Sequence, residues 1–278
     1  MRLERTTQFE PYRRWLVAQG LSTNTIEQRV EFAHSRVRGW GTLDQPAHVV
    51  AEWLGLFDGW TKRTYLNHLR SLYTWLVETG EVSRSPVERY RFPRMPPPRA
   101  NPLSEHQVAA VLSNAAGDLR AWLLLGLFAG LRCHEIAKVR GEDVTENQLF
   151  VIGKGGVHAA LPTHPVLWSL AQEYPRQGWW FPSNRGAREY VSESQVGNRV
   201  RWHFRGHGID QGAIHRCRHT YGTDLARAGV QPRIVQDLLR HRSLDTTMRY
   251  IAVSDPERAA AIRTLGPSEV LHRIPGER

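Results

Sequence analysis

The spacing of hydrophobic residues predicts helices through the first third of the chain. Phe9, Tyr12, Trp15 and Leu16 fall on one helical face, and Gln19-Gly20 ends that helix. Leu21-Ser22-Thr23-Asn24-Thr25 then supplies cap residues for a second helix running towards Trp40. A third is expected from Pro46 to Phe57. A fourth, from Thr61 to Thr79, carries Tyr65, Leu69, Leu72, Tyr73 and Leu76 at helical spacing and stops at Gly80. Short helices with small gaps make a compact bundle.

The pattern breaks between Ser85-Pro86 and Asn101-Pro102. Pro86, Pro93, Pro96, Pro97, Pro98 and Pro102 alternate there with Arg89, Arg91, Arg94 and Arg99. No helix can cross such a stretch, and an extended, basic backbone is expected. Ser104-Glu105-His106-Gln107 opens a new helix. Leu119 to Phe128 is apolar nearly all round and should lie at the centre of a second core. Gln148 to Ile152 and Ala159 to Leu161 read as strands around Gly153-Lys154-Gly155-Gly156, a hairpin signal. Helices are expected at 165–174, 192–205, around His215, at 231–240 and at 256–265. The expected fold is mostly α with a small β-hairpin. It divides into a helical domain at 1–90, a Pro/Arg-rich linker at 91–102 and a second domain at 103–278 with a C-terminal tail helix.

Composition narrows the function classes. Over 278 residues, 41% hydrophobic content suffices for real cores, and the net charge of +10 favours a polyanionic partner, most often nucleic acid. Lysine occurs only at 62, 138 and 154, which makes each position informative. Cys133 and Cys217 alone can build neither a disulfide framework nor a zinc site, and they fit a reducing cytoplasm. The N-terminus has no signal-peptide pattern. The longest apolar run, Ala121 to Ala129, is too short to cross a bilayer. No metal spacing, Walker loop or cofactor motif is present.

Four short motifs carry chemistry. They are Gly130-Leu131-Arg132-Cys133-His134-Glu135-Ile136, Ile214-His215-Arg216-Cys217-Arg218-His219-Thr220, Leu238-Leu239-Arg240-His241-Arg242-Ser243 and Thr246-Thr247-Met248-Arg249-Tyr250. His215 and Arg218 share a helix face. Each residue alone has an ordinary reading: an ion-pair arginine, a turn lysine, a core tyrosine. Their order and spacing together resemble the tyrosine recombinases, the phage-integrase family. Gly-Leu-Ser-x-x-Thr near residue 20, and the run from Thr61 to Leu76, are similar to that family's core-binding domain.

The resemblance implies a two-domain clamp around double-stranded DNA. It implies site-specific integration or excision through a 3′-phosphotyrosine intermediate, with no cofactor and no metal. Tyr250 would attack phosphorus. Arg132 and Arg218 suit the charge on nonbridging oxygens, being permanently cationic and bidentate. His215 and His241 would donate hydrogen bonds or handle the phenolic proton. Lys154 would protonate the leaving 5′-oxygen, and Glu135 would be an acidic support residue. Lys62, Arg63 and Arg70 read equally well as a solvated face, and the resemblance points to DNA contacts; Arg240 and Arg242 beside His241 are further candidate DNA contacts. Two departures stand out: Cys217 replaces the usual leucine, and Arg240 replaces the usual glycine, where it could strain a turn needing positive φ or add a phosphate contact.

A homotetramer on paired sites, accessory DNA-binding proteins, no membrane and a cytoplasmic, nucleoid-associated setting are further expectations. So is a compact recombinase without an extra N-terminal arm-binding module. The tail stripe of Ala259, Ile262 and Leu265 would dock on a neighbouring subunit or pack in cis. Two rival functions remain on these residues: a type IB topoisomerase, and a catalytically silent DNA-binding protein on the same fold.

Overall fold

The computed structural model describes residues 9–95, 100–153, 156, 158–183, 188–210, 212–241, 244–248 and 250, with the backbone alone at 244 and 245. The chain forms two compact units, Met1–Pro97 and Pro98–Arg278. The division falls within the proline-rich stretch.

The first unit is helical. Helices α1 (Glu10–Ala18), α2 (Thr23–Phe32), α3 (Ala47–Gly55) and α4 (Gly59–Glu78) surround a core of Tyr12, Leu16, Val50, Leu54, Leu66, Leu69, Leu72 and Tyr73. Helix α2 does not run unbroken to Trp40. It passes through a π turn at Ala33–Val37 and a 3-10 turn at Arg38–Trp40, and Gly41 at φ +75° ends it. The Tyr12 hydroxyl and the Arg29 guanidinium both donate to Ser71 Oγ at 2.8 Å, so the buried Ser71 hydroxyl of α4 is partnered.

The second unit is built on α6 (Gly117–Phe128), which follows α5 (Glu105–Ser113). Leu119, Leu123, Leu124, Leu125 and Leu127 are all buried on α6, each stabilising the unit by about 1.5–3 kcal/mol. The four-residue α7 (Cys133–Ile136) comes next. Strands β1 (Gln148–Ile152) and β2 (His158–Pro162) pair antiparallel, with Gln148 opposite Pro162 and Ile152 opposite His158. Then come α8 (Pro165–Ala171), α9 (Glu193–Gly206), α10 (Ile214–Arg227), α11 (Pro232–Leu239) and α12 (Leu244–Met248). Helix α8 is shorter than its apolar pattern suggests. The expected tail helix at 256–265 lies outside the described residues.

Helix α10 packs on α6 at close range. A Cβ on Gly126 would sit 2.8 Å from Cys217 Cβ, so the small residues at 126 and 217 fit each other, and Cys217 is fully buried. Arg216 and Thr220 tie α10 to the start of the unit. The Arg216 Nη2 donates to the Pro102 carbonyl at 3.0 Å and to Gln107 Oε1 at 3.1 Å, and the Leu103 N–H donates to Thr220 Oγ1 at 2.8 Å.

Candidate active site

The site is assembled where the turn after α6, the first turns of α10 and the end of α11 meet. Gly130 makes that turn. Its φ is +58°, and a Cβ there would lie 2.6 Å from Tyr221 Cδ1, so only glycine fits. The carbonyl of Gly130 accepts from two guanidinium groups, Arg218 and Arg240.

Arg132 follows on the same turn and caps α7. Its backbone N–H donates to Glu135 Oε2 at 2.8 Å, and its Nη1 to Oε1 at 3.0 Å. The Glu135 side chain is fully buried while Arg132 keeps 29% exposure, so the carboxylate holds the arginine from below and leaves its outer donors free to solvent. Burial pushes the Glu135 carboxyl up, but Arg240, the Arg132 N–H and the Arg132 charge outweigh it, and the group stays ionised below its ordinary range.

Arg218 is buried on α10. Its Nη1 donates to the Gly130 carbonyl and its Nη2 to the Leu239 carbonyl. These bonds pin the guanidinium plane between two chain segments. Burial, then the nearby Arg132 and Arg240 charges, lower its pKa to about 9, so it is cationic at neutral pH. His215, one turn earlier on α10, lies at the exposed rim. Desolvation against the surrounding protein, then the charges of Arg218 and Arg132, lower its pKa, so the imidazole is neutral at pH 7.

Arg240 is the C-cap of α11, at φ 53° and ψ 46°. The expected helix 231–240 therefore stops one residue early. The Leu239 carbonyl faces Arg218, and the next residue turns left-handed. His241 follows. Its carbonyl accepts from Gln236 Nε2 at 3.0 Å, and its Nδ1 shares a 2.9 Å hydrogen bond with Thr247 Oγ1, which is fully buried. Tyr250 closes the arrangement. Its ring lies parallel to His241 at 6.1 Å, its N–H donates to the Thr247 carbonyl, and its hydroxyl shares a 3.1 Å hydrogen bond with His219 Nδ1. Gly222 makes room for that ring, since a Cβ there would sit 3.2 Å from Tyr250 Cζ.

Arg132, Glu135, His215, Arg218, His241 and Tyr250 thus gather in one region of the second unit, with Arg240 among them. Lys154 and Arg242 lie outside the described residues. In the first unit, the Arg70 Nη2 donates to the Tyr90 carbonyl, and Arg70 and Arg63 sit 4.2 and 4.9 Å from the Phe92 ring centre. Lys62 beside them is half-buried. His219, Thr247, Gln236 and Gly222 join the site without standing out in the four motifs. His219 alone had a signal, since it lies four residues after His215 on α10 and so on the same face. Among the described residues no group of three His, Cys, Asp or Glu side chains is placed to hold a metal ion, and no helix is long and apolar enough to cross a membrane.

The model of the phage integrase family matches residues 99–257, which is more than half of the chain. The chain belongs to that family, the tyrosine recombinases. It is 31% identical to the tyrosine recombinase XerD of Pseudomonas putida, over 86% of this chain and 90% of that protein. It is also similar to the integrase of mycobacterium phage Brujita, at 33% identity and a TM-score of 0.50, covering 92% of this chain and 91% of that one. A lambda integrase dimer bound to a COC′ core site shares the fold at 17% identity, with a TM-score of 0.68 over 89% of this chain and 97% of that chain. As a tyrosine recombinase this enzyme carries out site-specific recombination.

Proposed function

We propose that this recombinase cuts and rejoins strands of duplex DNA through a 3′-phosphotyrosine at Tyr250. The observation that carries the reading is the Tyr250 hydroxyl held by a hydrogen bond to His219 on α10, the helix that also presents Arg218. The phenolic oxygen forms a bond to phosphorus, the bond from phosphorus to the 5′-oxygen breaks, and the phenolic proton passes to the His219 imidazole. Arg218, pinned by two backbone carbonyls, and Arg132, braced by Glu135, neutralise the nonbridging oxygens of the transition state. His215, neutral at pH 7, and His241 add hydrogen bonds to the same phosphate. Lys154 protonates the departing 5′-oxygen; the family resemblance alone supports that role. Rejoining is the reverse attack, which needs no high-energy cofactor because the phosphotyrosine conserves the phosphodiester energy.

The DNA is held as a duplex, with Lys62, Arg63, Arg70 and Arg242 as phosphate contacts; a lambda integrase dimer of the same fold is bound to a COC′ core site. The reaction is integration or excision within a homotetramer on paired sites, in the cytoplasm at the nucleoid. Tyr250→Phe removes only the hydroxyl. On a nicked suicide substrate it is expected to bind DNA like the wild type and to form no covalent adduct on a denaturing gel. Adduct from Tyr250→Phe would refute the assignment. Relaxation of supercoiled DNA without exchange between two sites would show strand swivelling in place of recombination.

A further inference from the structure

Among the described residues Arg240 is the only non-glycine with positive φ. That backbone suits glycine or asparagine, so an arginine there is conformationally costly. Its side chain is nonetheless ordered inward. The Nη1 donates to the Leu238 carbonyl at 2.8 Å, and the Nη2 to the Gly130 carbonyl at 3.3 Å and to Glu135 Oε2 at 2.9 Å, with 13% of the side chain exposed. Every acceptor it meets also belongs to the turn after α6, to α7 or to the end of α11. Glu135 Oε2 is the same oxygen that accepts the Arg132 N–H, and the Gly130 carbonyl is the same one that accepts from Arg218.

We propose that Arg240 is a positioning residue for strand cleavage, which locks Glu135 and the Gly130 turn so that Arg132 and Arg218 are held at one spacing. This rests on the recombinase reading above. Three cations share one carboxylate and one carbonyl, and removing Arg240 leaves Glu135 with a single cationic partner. The carboxylate and the turn then relax, and the two phosphate-facing guanidinium groups lose their register. The rival for this residue is direct contact with a DNA phosphate. The two differ in which step they affect: positioning acts on the chemical step, whereas a phosphate contact acts on binding.

The test uses Arg240→Gly and Arg240→Asn, both at home in the left-handed backbone and so expected to fold. DNA affinity is read by gel mobility at several salt concentrations, and cleavage by single-turnover adduct formation on saturating suicide substrate. We expect affinity and its salt slope to stay at wild-type values while cleavage falls by roughly 10–100-fold, the usual effect of a displacement near 1 Å. Millimolar guanidinium ion, far below denaturing levels, is expected to restore part of the loss in Arg240→Gly. Combining Arg240→Gly with Glu135→Gln is expected to cost little more than Glu135→Gln alone, because the two residues act as a unit. Wild-type cleavage in either variant, or fully additive losses in the double variant, would overturn the proposal. So would weakened binding with a salt slope shallower by about one, the mark of a lost phosphate contact. Failure of the wild-type chain itself to form adduct would refute the cleavage reading and with it the role given to Arg240, whereas loss confined to other steps in the variants would overturn that role alone.

Discussion

At the scale of single residues, two histidines couple this site to pH. His134 is half-buried on α7 with its Nε2 unpartnered among the described residues, and His215 stands beside Arg218 and Arg132. Desolvation comes first in lowering both pKa values, so in the folded chain each resists protonation at a pH where the unfolded chain accepts it. The unfolded state therefore binds more protons once pH drops below the ordinary imidazole value of about 6.5, and stability falls with it. The melting temperature is expected to decline between about pH 7 and 5.5, and His134→Gln should shrink that decline; an unchanged slope in the variant would show that His134 does not contribute. Most residues of this site were legible because the chemistry fixes their type: a nucleophile with a hydroxyl, cations that cannot deprotonate, imidazoles in between. His219 was not, because its one signal, the helix face it shares with His215, gives it no role until Tyr250 folds back onto it. The Arg240–Glu135 pair was equally hidden, since no period links positions so far apart in the chain.

Among the elements, those with strong local signals matched expectation closely. Ser104 and Ser192 each begin a helix with a reciprocal cap, to Gln107 and Gln195. The alternation around 148–162 gave the hairpin, one residue longer in β2 at each end. Helix α7 left no trace in the sequence because four residues complete barely one turn. The end of α11 was misplaced because an arginine occupies the position where glycine normally announces a stop. The turn joining α6 to α7 is the element on which the site depends most. Gly130→Ala places a methyl group against Tyr221 and forces alanine into the left-handed region. The expected loss is about 2–4 kcal/mol, from strain plus overpacking, measurable as a shift in the urea midpoint. A loss below 0.5 kcal/mol would mean that the turn readily adopts another conformation.

On the scale of the whole molecule, the main cores of the two units share no member among the described residues, and a third cluster of Val235, Leu239 and Tyr250 lies in the second unit. The break in the helical pattern was legible because proline cannot sit in a helix interior, and the second core because α6 is apolar nearly all round. The fit of Gly126 against Cys217 has a practical corollary. Both cysteines of the chain lie in the second unit. Burial raises the Cys133 thiol to about 11 and the Cys217 thiol to about 12, so neither supplies thiolate in the native state. Alkylation by iodoacetamide at mildly alkaline pH is therefore expected to be negligible until the second unit opens, and rapid afterwards. In a Cys133→Ser chain, Cys217 alone would time that opening. Rapid labelling without denaturant would mean that α10 lifts off α6 in the native state. The chain thus carries its own stopwatch for the second unit, and the first is silent to it.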